Sequence, residues 1–385
     1  MTLVIIATAL LFEWWLRQRW PSLGQDFIDE QPKESPFLYD KTIGYEIKPH
    51  AKLAAPFWRE AHDESVPIVI ETMNADGFRN SEIPLEKGRR IRFAAMGDSI
   101  VQSRSVPAVY SWEKQLEELI PNSEVINAGV GGYVSWQVTE RFKKRVAKYK
   151  PDYILVAVGW NDLVFSSLPN WTPKLNLADI QNKDSNTFSE SLLRRLYREA
   201  TKRSYLLRLA RNFRLKANER RLVHELVKER NAKTLTFNEE ALQDYRNNLE
   251  DLYETIRPTG AKMILITCPS LLSDDNLNHD KTHLHLKLYY QSFSFSAKDY
   301  HTWQGRYVSI QRELAKTIPE ILLIDAYKAF LDIPSSERFA FFSDLVHLTK
   351  KGNSKLAQLI AKELNAFTQR FSEAKEWTPP LEALL

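Results

Sequence analysis

The chain holds a single cysteine, Cys268, in 385 residues. No intramolecular disulfide can form, and a multi-cysteine zinc site within one chain is excluded. Twelve glycines are far too few for a collagen-like repeat. An excess of one charge is also missing: 53 Lys and Arg stand against 49 Asp and Glu, a net +4. That balance is too small to imply nucleic-acid binding by the molecule as a whole, no nucleic-acid partner is expected, and any basic patch is local. Hydrophobic residues at 43% and charged residues at 26% exclude both wholesale disorder and a polytopic membrane protein. At this length one elaborated α/β domain with insertions is expected.

An apolar run of spanning length is also absent. Leu3 to Phe12 is almost wholly apolar, but Glu13 interrupts it at roughly half of the 20 or so residues that a spanning helix needs. Trp14, Trp15 and Trp20 suit a membrane interface, and Arg17 and Arg19 follow the apolar run instead of preceding it. Residues 1–20 are therefore expected to be a membrane anchor or export segment, with a buried N-terminal helix as the other reading. An anchor implies that the protein is held on the extracytoplasmic side, in a periplasm or at a cell surface.

Residues 21–89 are rich in proline and aromatics and read as an accessory segment packed on the core. Gly44-Tyr45 and Asn74 to Phe78 read there as turns between short strands. From residue 90 the pattern changes. Ile91–Met96, Glu124–Asn127, Tyr153–Val158, Met263–Ile266 and Ile321–Asp325 are short apolar runs of the kind that form buried strands. Helical stretches separate them, at Trp112–Ile120, Trp136–Tyr149, Glu239–Ile256 and Gln304–Thr317, and a last one runs from Gly352 to Phe371. Strand-helix alternation predicts about five parallel strands covered on both faces, within a domain of residues 90–372 followed by a tail of 373–385. Ligands of such sheets sit beyond the carboxyl ends of the strands.

Those ends carry a coherent set of groups. The first strand runs into Gly97-Asp98-Ser99-Ile100, the second into Asn127-Ala128-Gly129-Val130-Gly131-Gly132, and the third into Gly159-Trp160-Asn161-Asp162. Asp344-Leu345-Val346-His347 precedes the final helix. A serine hydroxyl is a weak nucleophile at neutral pH, and His347 is placed to accept its proton and return it to a leaving group. Asp344 would hold the imidazole in the useful tautomer. The Ser99 and Gly132 backbone N–H groups and the Asn161 side-chain amide would serve a tetrahedral oxyanion. Asp98 reads as supporting the serine loop by hydrogen bonding.

In these four blocks and their order the chain resembles the SGNH (GDSL-type) hydrolase superfamily, over about residues 90–370. The resemblance implies a flavodoxin-like three-layer α/β/α sandwich. It implies Ser99 as nucleophile, Asp344 and His347 as its catalytic partners, and Ser99, Gly132 and Asn161 as the oxyanion hole, with no cofactor and no metal. Glycine fills three of four positions in the second block, which leaves Gly131 beside Gly132 as a donor candidate. Asn74, Gly77, Phe78 and Arg79 resemble a membrane-anchored bacterial branch of the superfamily. The resemblance further implies hydrolysis of O-acyl, often O-acetyl, esters on a carbohydrate or cell-surface glycan through an acyl-Ser99 intermediate. One alternative is an O-acyltransferase fed by a membrane-bound acyl-donor partner, and a second is a non-catalytic scaffold.

Two features lie outside the four blocks. The insertion 163–238 contains a stretch, Leu192 to Lys216, with nine basic residues against Glu199 and with leucines at helical spacing. It reads as an amphipathic lid or as a helix for an anionic surface. His279, His283 and His285 have a spacing that zinc can use, yet no carboxylate-rich motif accompanies them, and they read as solvated. Trp160, Phe165 and Trp171 are candidates for an apolar acyl pocket.

Overall fold

The computed structural model describes residues 2–19, 35–55, 66, 69–168, 170–179, 204–207, 209–210, 238–279 and 296–373. The chain forms two compact units, one of residues 1–33 with 182–231 and the other of residues 34–181 with 232–385.

In the first unit Thr2–Arg19 forms helix α1. Its Glu13 is not stranded in an apolar run. The carboxylate accepts the backbone N–H groups of Tyr205 and Leu206, both at 2.8 Å, and the Ser204 hydroxyl at 3.0 Å. Arg17 donates to the same carboxylate at 2.8 Å and lies 4.9 Å from the centre of the Tyr205 ring. Burial would raise the Glu13 carboxyl, but these donors hold it below its ordinary value. Leu10, Leu11, Phe12, Trp14 and Trp15 are exposed. Among the described residues no helix is long and apolar enough to cross a membrane. The remainder of the basic stretch 192–216 lies outside the described residues.

The second unit is built on a parallel sheet of five strands: β5 (Ile91–Gly97), β6 (Ser123–Asn127), β7 (Tyr153–Ala157), β8 (Lys262–Ile266) and β9 (Leu322–Ile324). Their order is β6-β5-β7-β8-β9, the flavodoxin-like arrangement. Every residue of β5 and β6 is buried, which is why neither strand alternates between apolar and exposed polar positions, and Arg92, Ser123, Glu124 and Asn127 are buried along with their apolar neighbours. Helix α3 (Trp112–Leu119) packs against α10 (Lys350–Glu373), while α4 (Ser135–Arg141), α6 (Glu239–Ile256) and α7 (Ala297–Thr317) pack in sequence. Short helices at Ser99–Gln102 (α2), Trp160–Ser166 (α5), Ala326–Leu331 (α8) and Ser335–Arg338 (α9) complete the layer connections. Trp112 is fully buried and donates its indole N–H to the Ile100 carbonyl at 3.2 Å, tying α3 to α2. Truncating such a side chain costs about 3–5 kcal/mol. Cys268 is buried, and burial pushes its thiol well above the ordinary value.

Three elements differ from the sequence expectation. The helix expected over Trp136–Tyr149 breaks after α4 into a π turn, Phe142–Val146, and a 3-10 turn, Ala147–Tyr149. The wide turn accompanies a cluster in which Arg141 and Arg145 meet Glu46 at 3.2 and 2.9 Å and Lys148 meets Asp76 at 2.7 Å. Helix α7 starts at Ala297, seven residues before the expected Gln304, because Ser296 caps it by accepting the Asp299 N–H and because Ala297 and Tyr300 are buried.

The third difference is in the antiparallel hairpin of β1 (Phe37–Asp40) and β2 (Gly44–Ile47). Its turn is at residues 41–43, not at Gly44-Tyr45. Asp40 Oδ1 accepts the Thr42 and Ile43 N–H groups at 2.8 and 3.1 Å and so closes the turn earlier. A second hairpin pairs β3 (Lys52–Ala55) with β4 (Val69–Thr72).

Candidate active site

Strand β5 delivers Ser99 to the carboxyl edge of the sheet through a glycine. Gly97 has φ +152°, and a Cβ there would stand 1.8 Å from the Ala157 carbonyl oxygen of the neighbouring strand. No other residue fits. The next residue, Asp98, caps α2 by accepting the Ile100 N–H at 2.8 Å, which sets Ser99 at the first helical position, half-buried. Burial pushes the Asp98 carboxyl up to about 7, against the pull of that backbone hydrogen bond.

His347 arrives on a loop closed by the Ser343 N–H bonded to its carbonyl at 2.8 Å. Its Nε2 lies 2.7 Å from Ser99 Oγ and its Nδ1 lies 2.5 Å from Asp344 Oδ2. The other oxygen of Asp344 accepts the Val346 and His347 backbone N–H groups at 2.9 and 2.8 Å. Burial alone would raise the Asp344 carboxyl, but the charge of His347, the hydrogen bond from its ring and these two N–H groups hold it below the carboxylate range. The three side chains, 245 or more positions apart between serine and the other two, thus form one continuous hydrogen-bonded chain.

The glycine loop that carries an expected oxyanion donor lies against the same serine. A Cβ placed on Gly131 would come within 3.9 Å of Ser99 Cβ. The Gly131 N–H is committed to Gln102 Oε1 at 3.2 Å, whereas among the described residues no hydrogen bond engages the Gly132 N–H. Gly132 has φ +84°, and a Cβ on it would meet Leu177 Cδ2 at 2.6 Å and Tyr45 Oη at 2.7 Å. Asn161 follows β7 at the start of α5, and its Nδ2 donates to the Tyr133 carbonyl at 3.0 Å, with Asp98 Oδ2 at 3.4 Å. Asp98, Asn161, Asp344 and His347 are buried, so the site opens at Ser99, Gly131 and Gly132, each partly exposed.

Several side-chain contacts that support this arrangement could not be read from the sequence. Arg79 donates to the carbonyls of Gln102 at 2.9 Å and Val106 at 2.7 Å, pinning the chain just beyond Ser99, and pairs with Glu71 at 2.7 Å. Asn74 shapes the turn ahead of it by accepting the N–H groups of Asp76 and Phe78 at 3.0 and 2.9 Å. Asp162 does not cap its own helix. Its carboxylate accepts the Ser135 N–H at 2.9 Å and the Ser135 hydroxyl at 2.5 Å, capping α4 from another element. Burial pushes Asp162 up to about 7, while the Ser135 hydrogen bonds pull the other way. From the β1–β2 hairpin, Tyr45 donates to the Gly131 carbonyl at 2.8 Å.

Trp160 does not share a pocket with Phe165 and Trp171: it is 1% exposed, stacks on Tyr300 with ring centres 5.3 Å apart and lines a small cavity with Tyr245 and Cys268, whereas Phe165 and Trp171 line another. Of the histidine cluster, His279 packs against Phe339, and His283 and His285 lie outside the described residues. Among the described residues no group of three or more His, Cys, Asp or Glu could hold a metal ion.

The model of the GDSL-like lipase/acylhydrolase family matches residues 95–355. No curated protein matches the chain. Among solved structures, the chain is similar to a lipase/acylhydrolase from Enterococcus faecalis at 18% identity and a TM-score of 0.40, over 71% of this chain and 95% of that one. It is likewise similar to a catalytic mutant of an acetylxylan esterase from Geobacillus stearothermophilus, at 14% identity, TM-score 0.40, 71% and 93% coverage. A member of the lipolytic G-D-S-L family from Veillonella parvula stands at 12% identity, TM-score 0.38, 70% and 96% coverage. With well over half of its length matched by the family model, the chain belongs to the GDSL-like lipase/acylhydrolase family and is an ester-hydrolysing enzyme.

Proposed function

We propose that the protein is a serine esterase that removes O-acyl groups, foremost O-acetyl, from a carbohydrate or cell-surface glycan through an acyl-Ser99 intermediate. The observation that carries the mechanism is the 2.7 Å approach of His347 Nε2 to Ser99 Oγ, with Asp344 2.5 Å behind the ring. In acylation, Ser99 Oγ attacks the ester carbonyl carbon while its proton passes to His347 Nε2. The carbonyl oxygen becomes an oxyanion, for which the Ser99 and Gly132 N–H groups and Asn161 Nδ2 are the donors. Collapse breaks the bond to the alcohol oxygen, which takes the proton from His347 and leaves. Water then attacks the acyl-serine, gives a proton to His347, and releases the carboxylic acid as Ser99 regains its hydrogen. Asp344 keeps the proton on Nδ1, so that Nε2 is the basic nitrogen. The carbohydrate half of the substrate rests on the resemblance of the sequence blocks.

The test is hydrolysis of p-nitrophenyl acetate and of an acetylated glycan by the protein and by Ser99→Ala, with fluorophosphonate labelling of Ser99. Turnover and labelling that both vanish in the variant support the mechanism. Acyl groups diverted to an added glycan acceptor would make the enzyme a transferase, and neither turnover nor labelling in the parent protein would overturn the reading. The proposal includes attachment to a membrane outside the cytoplasm through α1, supported by the exposed Leu10, Leu11, Phe12, Trp14 and Trp15 ahead of Arg17 and Arg19. Sedimentation of the full chain with anionic vesicles, weakened by Trp14→Ser with Trp15→Ser, tests that part.

A further inference from the structure

We infer that Tyr45, on the accessory hairpin, is a positioning residue for the oxyanion site: its hydroxyl grips the Gly131 carbonyl and so orients and polarises the peptide that carries the Gly132 N–H. The inference rests on the proposed role of Gly132. The carbonyl of residue 131 and the N–H of residue 132 belong to one peptide unit and, in a trans peptide, point in opposite directions. A donor fixed on the oxygen therefore fixes the direction of the N–H on the far side. Tyr45 Oη lies 2.8 Å from that oxygen. The Gly131 end of the same peptide lies against Ser99.

The hydroxyl is itself held without freedom. The Tyr45 ring is buried and meets Phe37 and Tyr133 edge-on, with ring centres 5.5 and 5.3 Å apart. Its backbone carbonyl accepts the Tyr133 hydroxyl at 2.7 Å, so the two tyrosines clasp each other. The Tyr133 carbonyl in turn accepts Asn161 Nδ2 at 3.0 Å. Both the backbone donor and the side-chain donor thus trace back to one tyrosine pair anchored on the hairpin. Burial pushes the Tyr45 phenol well above its ordinary value, so it remains a proton donor throughout any assay range. Hydrogen bonds in a chain strengthen one another as charge grows at one end, by about 10–30% per bond. The Tyr45 contact therefore gains when the oxyanion forms and has little to offer the ground-state ester, which assigns its effect to kcat more than KM.

The experiment compares the parent protein, Tyr45→Phe and Asn161→Ala on p-nitrophenyl acetate. It also measures binding of a trifluoromethyl ketone, whose serine adduct carries the oxyanion, and of the corresponding methyl ketone. Tyr45→Phe keeps the ring packing and removes only the hydroxyl. It is expected to lower kcat about tenfold with KM within about twofold. Affinity for the trifluoromethyl ketone should fall by the same factor while the methyl ketone binds unchanged. Direct loss of a donor in Asn161→Ala is expected to cost about 10²–10³ in kcat. An effect of Asn161→Ala with none of Tyr45→Phe overturns the tyrosine inference alone, as does a Tyr45→Phe loss confined to KM or shared by both ketones. An inactive parent protein unlabelled at Ser99 overturns the esterase reading and this inference together.

Discussion

Replacing Asp344 by Asn isolates the role of one hydrogen bond, because the structure dictates which way the new amide must face. Oδ1 of Asp344 accepts two backbone N–H groups, from Val346 and His347, at 2.9 and 2.8 Å. An amide turned to present its NH2 there would set donor against donor, so the asparagine oxygen takes the Oδ1 place and the NH2 replaces Oδ2. The NH2 then faces His347 Nδ1, which is 2.5 Å from Oδ2 in the parent protein. Nδ1 must become the acceptor, the ring proton moves to Nε2, and Nε2 can no longer take the proton of Ser99. Loss of the correct tautomer alone is worth about 10⁴ in kcat, or roughly 5.5 kcal/mol in barrier, with the loop still closed by its two backbone hydrogen bonds. Steady-state hydrolysis of p-nitrophenyl acetate beside a thermal melt reads both sides. Asp344→Asn should retain the parent Tm within about 3 °C while kcat falls by three to four orders of magnitude. Activity within tenfold of the parent, in a folded variant, would refute the assignment of Asp344 as the residue that orients His347.

Three further outcomes are expected. Asp162, pushed up to about 7 by burial, binds its proton more tightly folded than unfolded, so its contribution is complete below about pH 4 and is lost as pH rises through 7. Asp162→Asn keeps an oxygen for the Ser135 N–H and hydroxyl, and its Tm should fall less than the parent's between pH 5 and pH 8, the difference having an upper bound of roughly 3 kcal/mol for the two units between pH 5 and 7; parallel Tm curves would contradict this. Gly97→Ala places a methyl 1.8 Å from the Ala157 carbonyl and should fail to give soluble folded protein, whereas Gly260→Ala, whose Cβ meets nothing within 4 Å, should fold with a loss of about 1–2 kcal/mol for its φ of +81°; equal solubility and equal melts would count against the strand-end geometry. Arg79→Met leaves Glu71, whose side chain is 16% exposed, without its ion pair and frees the Gln102 and Val106 carbonyls, so a loss of about 3 kcal/mol in urea unfolding is expected. A loss under 1 kcal/mol would show that the arginine is not needed there.

The parts of the molecule that could be read from the chain are those encoded by neighbouring residues. The five strands are built on short apolar runs because the sheet is covered on both faces, and they are legible over three to seven positions. Asp344 and His347 lie three apart in one loop, and Asp98 caps the very turn that carries Ser99, so their relation is local and their side chains announce it. The shifted turn at residues 41–43 was hidden because Asp40, which closes it, also serves as the last residue of β1. The π turn at Phe142 was hidden because its Arg145 answers to Glu46 and Asp76, nearly a hundred and some seventy positions away.

The contacts that escaped the sequence have one physical property in common. Arg79 acts on the carbonyls of Gln102 and Val106, Tyr45 on that of Gly131, Tyr133 on that of Tyr45, and Asn161 on that of Tyr133. A side chain that meets another side chain leaves two chemical identities in the sequence, as serine, histidine and aspartate do here. A side chain that meets a carbonyl leaves one, because every residue has the acceptor. The nucleophile and its base were therefore visible, while the scaffold that aims the glycine loop was not, even though it uses ordinary tyrosine and arginine chemistry. In this fold the accessory hairpin is where that scaffold is anchored: Gln137 reaches the Ile43 carbonyl at 2.6 Å and Arg141 pairs with Glu46 inside the same contact that sets Tyr45 against Gly131. A segment that reads as a covering layer thus supplies the groups that hold the loop beside Ser99, and loosening it should register at the serine before it registers in the melting of the sheet.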